Sequence, residues 1–255
     1  MKTDIPRVDV LGVKISAINM SIALEEIERW ISSQERAYIC LTPAHSIMDC
    51  YTNPDLYPLF NGSNMTTPDG MSIVWLLKLR GYSYVERVTG SDLMDATMRY
   101  SAQRGWKHYF YGGQEGIPEK LTKHFLCRYP DLKIVGAYSP PFRPLTPEED
   151  EDVVARIHQA KPDIVWVGIS SPKQEIWMAS HVDILDVPIL IGVGAAFDFL
   201  SGKKKRAPLW MQKTGLEWLF RFITEPKRLW PRYRMYPWFS VLALAQMLGF
   251  RKQEK

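Results

Sequence analysis

Two aspartates occupy positions at which a carboxylate could do chemistry. Asp69 lies in a Pro68-Asp69-Gly70 turn between two apolar stretches. A partly desolvated carboxylate at such a turn can serve as a general base, although turns also accept aspartate for structural reasons alone. Asp198 stands between two phenylalanines, so its carboxylate must be paired, bind a ligand or cap a helix.

Glycines follow several apolar segments and could bring backbone N–H groups close to a phosphate. Gly112 and Gly113 open a loop that closes at Gly116, and Gly192-Val193-Gly194 follows another apolar run. One such loop is explained equally well as a tight turn. Several loops at one edge of a sheet would favour a nucleotide site.

A bound metal is not expected. Asp150-Glu151-Asp152 matches the DxD pattern of metal-dependent sugar transferases, but it falls in the first turns of a helix that Thr146 caps. Acidic residues are expected there because they complement the helix dipole. The five histidines have no ligand spacing. We therefore predict no metal site and no cofactor.

The elements that must position these residues alternate between strand and helix. This alternation predicts an α/β fold, with a mostly parallel sheet and helices on both faces. Ligands in such folds bind beyond the carboxyl ends of the strands. The predicted strands are Val8–Ile15, Tyr38–Thr42, Met65–Thr67, Lys107–Tyr111, Lys133–Tyr138, Asp163–Ile169 and Pro188–Val193. The main predicted helices are Met20–Ser33, Met71–Leu79, Ser91–Gln103, one from Gly116 and one from Thr146.

Charge divides the 255-residue chain into two parts. Residues 201–255 hold 13 basic and three acidic residues, or +10, whereas residues 1–200 carry −6. Four of the nine tryptophans also lie after residue 201. We therefore predict a catalytic α/β domain at 1–200 and a basic, aromatic, helical appendage at 201–255. Its partner is anionic, either a membrane surface or a nucleic acid.

The appendage carries an apolar segment of unusual length. Ala207–Thr224 is predicted to be one helix, and Met235–Phe250 is a run of 16 uncharged residues between Arg234 and Arg251. That run is shorter than the ~20 residues that span a bilayer. It suits a helix lying in the membrane interface, although core helices of large domains are also apolar.

The N-terminal segment and the cysteines indicate the compartment. Met1–Val13 contains four charged residues and lacks the apolar core of a secretory signal. Three scattered cysteines do not make a disulfide frame. These features predict a cytosolic protein.

Six segments in order resemble the WecG/TagA/CpsF glycosyltransferases (glycosyltransferase family 26). The resemblance covers nearly the whole chain. The segments are Thr42-Pro43, Thr67-Pro68-Asp69-Gly70, Arg87-Val88-Thr89-Gly90, Gly168 to Glu175, Gly192 to Gly202, and Lys205-Arg206-Ala207-Pro208 through Gly215-Leu216-Glu217-Trp218 to Arg234.

The resemblance implies an inverting, metal-independent transfer from a UDP-sugar to a polyprenyl-diphosphate-linked saccharide. Such a reaction belongs to bacterial surface polysaccharide or exopolysaccharide synthesis. The resemblance also implies a Rossmann-like core with a C-terminal membrane-binding appendage. It further implies peripheral attachment to the cytoplasmic face of the inner membrane, and self-association.

Roles for individual residues follow from the same resemblance. Asp69 matches the proposed base and Thr42 a threonine of the same pocket, while Arg87 and Gln174 match residues that position substrate. Tyr138 and Asp198 resemble the pair that holds the uracil. The arginines that resemble those meeting the diphosphates are Arg221, Arg228 and Arg232.

One departure from the family pattern concerns the donor sugar. Family members usually carry asparagine two residues after the threonine, where this chain has Ala44. The missing amide could have bonded a sugar substituent. A donor other than an N-acetyl sugar, such as a plain hexose, is therefore the expectation.

Two other classes of function were weighed. A nucleic-acid-binding protein could use the basic, tryptophan-rich tail. The uncharged Met235–Phe250 run has no role on a phosphate backbone, so no nucleic-acid partner is expected. A Rossmann-type dehydrogenase should show GxGxxG with an acidic residue about 20 positions later, and the sequence has neither.

Overall fold

The computed structural model describes residues 5–250. The strands are β1 (Arg7–Val10), β2 (Val13–Ser16), β3 (Ala37–Thr42), β4 (Met65–Pro68), β5 (Lys107–Gly112), β6 (Lys133–Tyr138), β7 (Ile164–Gly168) and β8 (Ile189–Gly192). The helices are α1 (Met20–Ser33), α2 (Ala44–Thr52), α3 (Tyr57–Asn61), α4 (Met71–Leu79), α5 (Gly90–Ser101), α6 (Ile117–Arg128), α7 (Pro147–Ala160), α8 (Lys173–His181), α9 (Ala196–Leu200), α10 (Leu209–Lys213), α11 (Glu217–Thr224), α12 (Pro226–Tyr233) and α13 (Tyr236–Met247).

Six strands form one sheet in the order β4-β3-β8-β7-β5-β6. The pairs β3–β8, β8–β7, β7–β5 and β5–β6 are parallel. Every residue of β3 and β8 is buried, as expected for continuous apolar runs in the middle of a parallel sheet. The predicted α/β, Rossmann-like fold is confirmed.

The chain divides into two compact units. The first contains the N-terminal segment to Asn19, Leu41–Thr89 and the segment from Lys205 onward. The second contains Met20–Cys40 and Gly90–Lys204. The tail therefore shares a unit with the segment that carries Asp69. The division into a catalytic domain at 1–200 and an appendage at 201–255 stays a prediction.

The single strand predicted at Val8–Ile15 is wrong. β1 and β2 instead form an antiparallel hairpin, with Val10 paired with Val13 across the turn. Leu11 and Gly12 both have positive φ, at 54° and 91°. Glycine adopts such angles readily, and the Tyr57 hydroxyl donates a 2.8 Å hydrogen bond to the Leu11 carbonyl. The turn reverses the chain inside what appears in the sequence as one apolar run.

The continuous helix predicted at Ala207–Thr224 is also wrong. α10 ends at Lys213 and α11 begins at Glu217. Gly215 lies between them with a φ of 79°, which is incompatible with a continuing right-handed helix. The break directs Glu217 and the rest of α11 along a new axis.

The uncharged run of the tail forms α13, and its two faces differ. Phe239, Ala243 and Gln246 are buried, and the Gln246 Oε1 accepts a 3.1 Å hydrogen bond from the Leu11 backbone N–H. Trp238, Val241 and Leu244 lie on the surface. Within residues 5–250, no helix is long and apolar enough to cross a membrane, and Arg251 lies outside those residues.

His108 is a buried, hydrogen-bonded histidine of the second unit. Trp166 Nε1 donates to His108 Nδ1 at 3.1 Å, so the ring proton lies on Nε2, 2.8 Å from the Ser101 hydroxyl oxygen. Ser101 in turn donates to the Met98 carbonyl. Burial lowers the His108 pKa from 6.5 to about 3, so this ring stays neutral at physiological pH.

This lowered pKa predicts how stability depends on pH. Below pH 6.5 the unfolded chain binds a proton at this position, but the folded protein does not until the pH approaches about 3. The stabilising effect of the neutral ring is complete above 6.5 and is lost as the pH falls, at about 1.4 kcal/mol per pH unit. His108→Gln should be less stable at pH 7 and less sensitive to pH between 7 and 5.

Denaturant unfolding at pH 7, 6 and 5 measures this dependence. His158→Gln is the control, because His158 is exposed. An unchanged pH dependence in His108→Gln would show that His108 does not contribute to it.

Candidate active site

The glycine loops of the second unit lie where the sequence placed them, at the carboxyl ends of parallel strands. Gly112, the last residue of β5, pairs with Gly168 of β7. A Cβ at Gly112 would lie 2.5 Å from the Gly168 carbonyl carbon, so only glycine fits. Gly113 has a φ of 76°, and its N–H donates to the Gly168 carbonyl at 3.0 Å. The close backbone approach gives these glycines a structural role beside any phosphate contact.

Tyr138 and Asp198 are each connected to the Gly112–Gly116 loop through another residue. Ser139, next to Tyr138, donates to the Gln114 carbonyl at 3.2 Å, and Lys203 Nζ lies 2.7 Å from Gln114 Oε1. Lys203 and Lys204 also pair with the Asp198 carboxylate, at 3.5 and 3.2 Å. Asp198 is therefore an ion-paired carboxylate beside the loop. Lys203 and Lys204 are not among the site residues predicted from the sequence, although their charges could have suggested a partner for Asp198.

The Tyr138 ring has neighbours on the helical side of β6. It stacks on Tyr111 with ring centroids 6.4 Å apart, and the Arg156 guanidinium lies 5.2 Å from its centroid. Arg156 is held by Asp152 at 2.6 Å. These contacts fix the ring plane at the end of β6.

The acidic DxD-like segment has structural partners. The Thr146 side chain and Glu149 form the expected capping box at the start of α7. Asp150 lies 2.9 Å from His181 Nε2. Among residues 5–250, no cluster of three or more His, Cys, Asp or Glu side chains could hold a metal ion.

Gln174 is buried in the first turn of α8 with both ends of its amide engaged. Its Oε1 accepts from the Gly194 N–H at 3.0 Å, and its Nε2 donates to Glu175 Oε1 at 2.8 Å. This geometry ties α8 to the loop after β8. Gln174 can thus shape that loop, a role that its motif alone does not reveal.

Thr42, Asp69 and Arg87 all lie in the first unit. Thr42 ends β3 and is fully buried, while Asp69 follows β4 and is half-buried. Thr67 donates its hydroxyl to the Val88 carbonyl at 3.0 Å, and the Val88 N–H donates to the Pro68 carbonyl at 3.2 Å. These bonds hold the Arg87 segment against the turn that carries Asp69.

The tail contributes side chains to the same unit. Arg87 Nη1 lies 2.9 Å from the Glu217 carboxylate, and Arg206 Nε lies 3.8 Å from its other oxygen. Burial raises the pKa of the Tyr236 hydroxyl, and the negative charge of Asp69 raises it further. The tail therefore brings Tyr236 close enough to the candidate base for the two groups to interact electrostatically.

Two of the three predicted diphosphate arginines lie close enough to α2, the helix that follows Thr42, for their charges to act on it. Burial, together with the positive charges of Arg232 and Arg221, lowers the pKa of His45 to about 3. Burial raises the pKa of Asp49, and the positive charge of Arg232 partly offsets this increase. Arg228 is different, because it is exposed and ion-paired with Glu225. Of the three arginines, Arg221 and Arg232 are thus the two whose charges act on α2.

The chain as a whole is similar to known proteins. A family model described as the glycosyl transferase WecG/TagA/CpsF family matches residues 8–253. The chain belongs to this glycosyltransferase family. It is accordingly a glycosyltransferase, and the family resemblance in its sequence motifs is confirmed.

Two relatives illustrate the range of similarity within the family. Both are named N-acetylglucosaminyldiphosphoundecaprenol N-acetyl-beta-D-mannosaminyltransferase. The protein from Staphylococcus aureus (strain MRSA252) is 28% identical over 230 residues, which cover 89% of each chain. The protein from Bacillus subtilis (strain 168) is 29% identical over 193 residues, covering 75% of this chain and 73% of that protein.

Proposed function

We propose that this glycosyltransferase moves a sugar from a UDP-sugar to a polyprenyl-diphosphate-linked saccharide, with inversion and without a metal ion. The observation that carries the proposal is the surroundings of Asp69. The first unit combines a half-buried carboxylate at a strand end with Arg87 and the tail arginines. The relatives named above act on a diphosphoundecaprenol-linked sugar, which supports the acceptor class.

Inversion requires a single displacement at the anomeric carbon. Asp69 would take the proton of the acceptor hydroxyl, whose oxygen attacks the anomeric carbon as the bond to the UDP oxygen breaks. Thr42 and Arg87 would orient the reacting groups. UDP leaves with the bonding electrons, and arginines and backbone N–H groups stabilise its charge.

The second unit would bind the nucleotide. Tyr138 and Asp198 flank the Gly112–Gly116 loop through Ser139 and Lys203, an arrangement that suits a uracil beside a diphosphate. Gln174 would act by holding the loop after β8. Lysines near Asp198 add positive charge to this region.

The tail would bind the acceptor and the membrane surface. Guanidinium groups match phosphate oxygens in pairs, so Arg221 and Arg232, with Arg228, suit the acceptor diphosphate. Exposed tryptophans and basic residues suit an anionic bilayer surface. We place the enzyme peripherally at the cytoplasmic face of the membrane, in surface polysaccharide or exopolysaccharide synthesis.

The donor sugar is tested by a panel of UDP-sugars and GDP-mannose, assayed by thermal shift and by transfer to a short-chain polyprenyl-diphosphate acceptor. Ala44 begins α2 and is buried, with no amide for an N-acetyl group. A UDP-hexose should therefore stabilise and react better than its N-acetyl counterpart. Stabilisation by GDP-mannose alone would exclude a UDP-sugar donor.

Metal removal provides a separate prediction. Transfer should persist in excess EDTA, because arginines and backbone donors are proposed to stabilise the leaving group. The measurement is the transfer rate in EDTA, in buffer alone and with added Mn²⁺. Loss of activity in EDTA with recovery in Mn²⁺ would contradict the metal-independent mechanism.

A further inference from the structure

One carboxylate of the tail contacts two arginines from other parts of the first unit. Glu217 Oε2 lies 2.9 Å from Arg87 Nη1, and its Oε1 lies 3.8 Å from Arg206 Nε. The Glu217 and Arg87 side chains are each only 15% exposed, and that of Arg206 is 23% exposed. Limited access to water strengthens such charge interactions.

The two arginines belong to a network that reaches the turn carrying the candidate base. Arg206 Nη2 donates to the Thr89 hydroxyl at 3.4 Å, two residues after Arg87. Val88, between them in sequence, is bonded through its N–H and its carbonyl to Pro68 and Thr67. The segment containing Arg87 is therefore held on one side by the Asp69 turn and on the other by the tail.

Two guanidinium groups near each other repel unless an anion lies between them. Glu217 supplies that anion and leaves one net positive charge in the group of three. A group of this kind can attract a phosphate while its geometry is fixed before substrate arrives. Without the carboxylate, both arginines would lose this contact and the repulsion between them would increase.

We propose that Glu217 is a positioning residue that holds Arg87, together with Arg206, in the orientation needed to engage an anionic substrate group. The inference rests on the proposed function, because it assigns Arg87 a substrate. It also gives the tail a task inside the catalytic unit, separate from any contact with a membrane or with the acceptor.

A double-mutant cycle between Glu217→Gln and Arg87→Ala tests whether Glu217 acts through Arg87. In the wild-type background, Glu217→Gln should lower kcat/KM by between about 10- and 100-fold, as expected for a misplaced substrate-orienting group. In the Arg87→Ala background the same change should cost less than about threefold. Equal losses in both backgrounds would overturn the proposal, since they would show a structural role independent of Arg87.

Glu26→Gln is the matched control for losing a largely buried carboxylate–arginine contact. The Glu26 side chain is 5% exposed and pairs with Arg29 at 2.9 Å, and neither residue is assigned to substrate. This variant should keep wild-type kcat/KM. A loss as large as that of Glu217→Gln would mean that breaking any such pair impairs the enzyme, which would overturn the specific assignment.

The rate of chemical modification of Arg87 tests its position without a measurement of enzyme activity. Phenylglyoxal should modify Arg87 faster in Glu217→Gln than in the wild type, as measured by peptide mass spectrometry. An unchanged rate would overturn the positioning role even if activity fell. Faster modification in a protein that transfers no sugar would instead support the positioning and refute the proposed function.

Discussion

Replacing Asp69 with asparagine is expected to leave the protein folded and to lower kcat by between about 10²- and 10⁴-fold, the usual cost of losing a general base. Asparagine has nearly the same shape as aspartate but cannot accept the proton of the acceptor hydroxyl. Asp69 follows β4 in a turn whose backbone bonds, including its own N–H to the Thr67 carbonyl at 2.9 Å, do not need the carboxylate.

Single-turnover transfer and substrate thermal shifts separate chemistry from binding for this variant. Asp55→Asn serves as the control, because Asp55 is an exposed carboxylate of the same unit. Asp69→Asn should still be stabilised by the donor while its chemical step slows. A variant with wild-type kcat would show that the base lies elsewhere.

Binding of the full-length protein to anionic liposomes is the second large effect expected, with only partial release at high salt. Basic residues near an anionic surface contribute about 1 kcal/mol each, and salt screens this attraction. Burial of apolar side chains adds a component that salt does not weaken. Trp230 and Trp238, which are 60% and 50% exposed, are suited to that component.

Point variants can separate the electrostatic contribution to liposome binding from the apolar contribution. Reversing the charges of Lys213, Lys227 and Arg234, which are exposed, should weaken binding at low salt by at least roughly 100-fold. Trp230→Ser with Trp238→Ser should remove the binding that survives high salt. Flotation of the protein with vesicles of increasing anionic lipid content measures both.

Phe142→Ser is the control for losing an exposed aromatic side chain, since Phe142 is 96% exposed and lies outside the tail. It should bind vesicles like the wild type. Wild-type binding by both sets of tail variants would refute membrane attachment through the tail.

The structure favours these variants over deletion of the tail. Leu229, Tyr233 and Phe239 are buried in the first unit, and Gln246 bonds to the backbone of Leu11. A chain ending at Ser201 would lose the proposed membrane-binding residues, Glu217 and part of its own core together. Loss of activity in that chain could not be assigned to one cause.

Local sequence patterns predicted most of the sheet and several helices. β6 and α4 have the predicted bounds, and the capping box at Thr146 fixes the start of α7. These elements depend on neighbours within a few residues, through side-chain periodicity and capping bonds. The hairpin at Leu11-Gly12 and the break at Gly215 were missed because a single glycine inside a predicted element does not reveal its φ angle.

The sequence by itself determined the α/β fold, the strand-end placement of Asp69 and the glycine loops, and the family, because these follow from local patterns and ordered motifs. Only the tertiary structure decided which distant side chains meet. It joins Arg87 to Glu217, 130 positions later, and brings Arg221 and Arg232, but not the exposed Arg228, close enough to α2 for their charges to act on it. Such pairings depend on how the tail packs within its unit, and no periodicity or spacing along the chain encodes that packing.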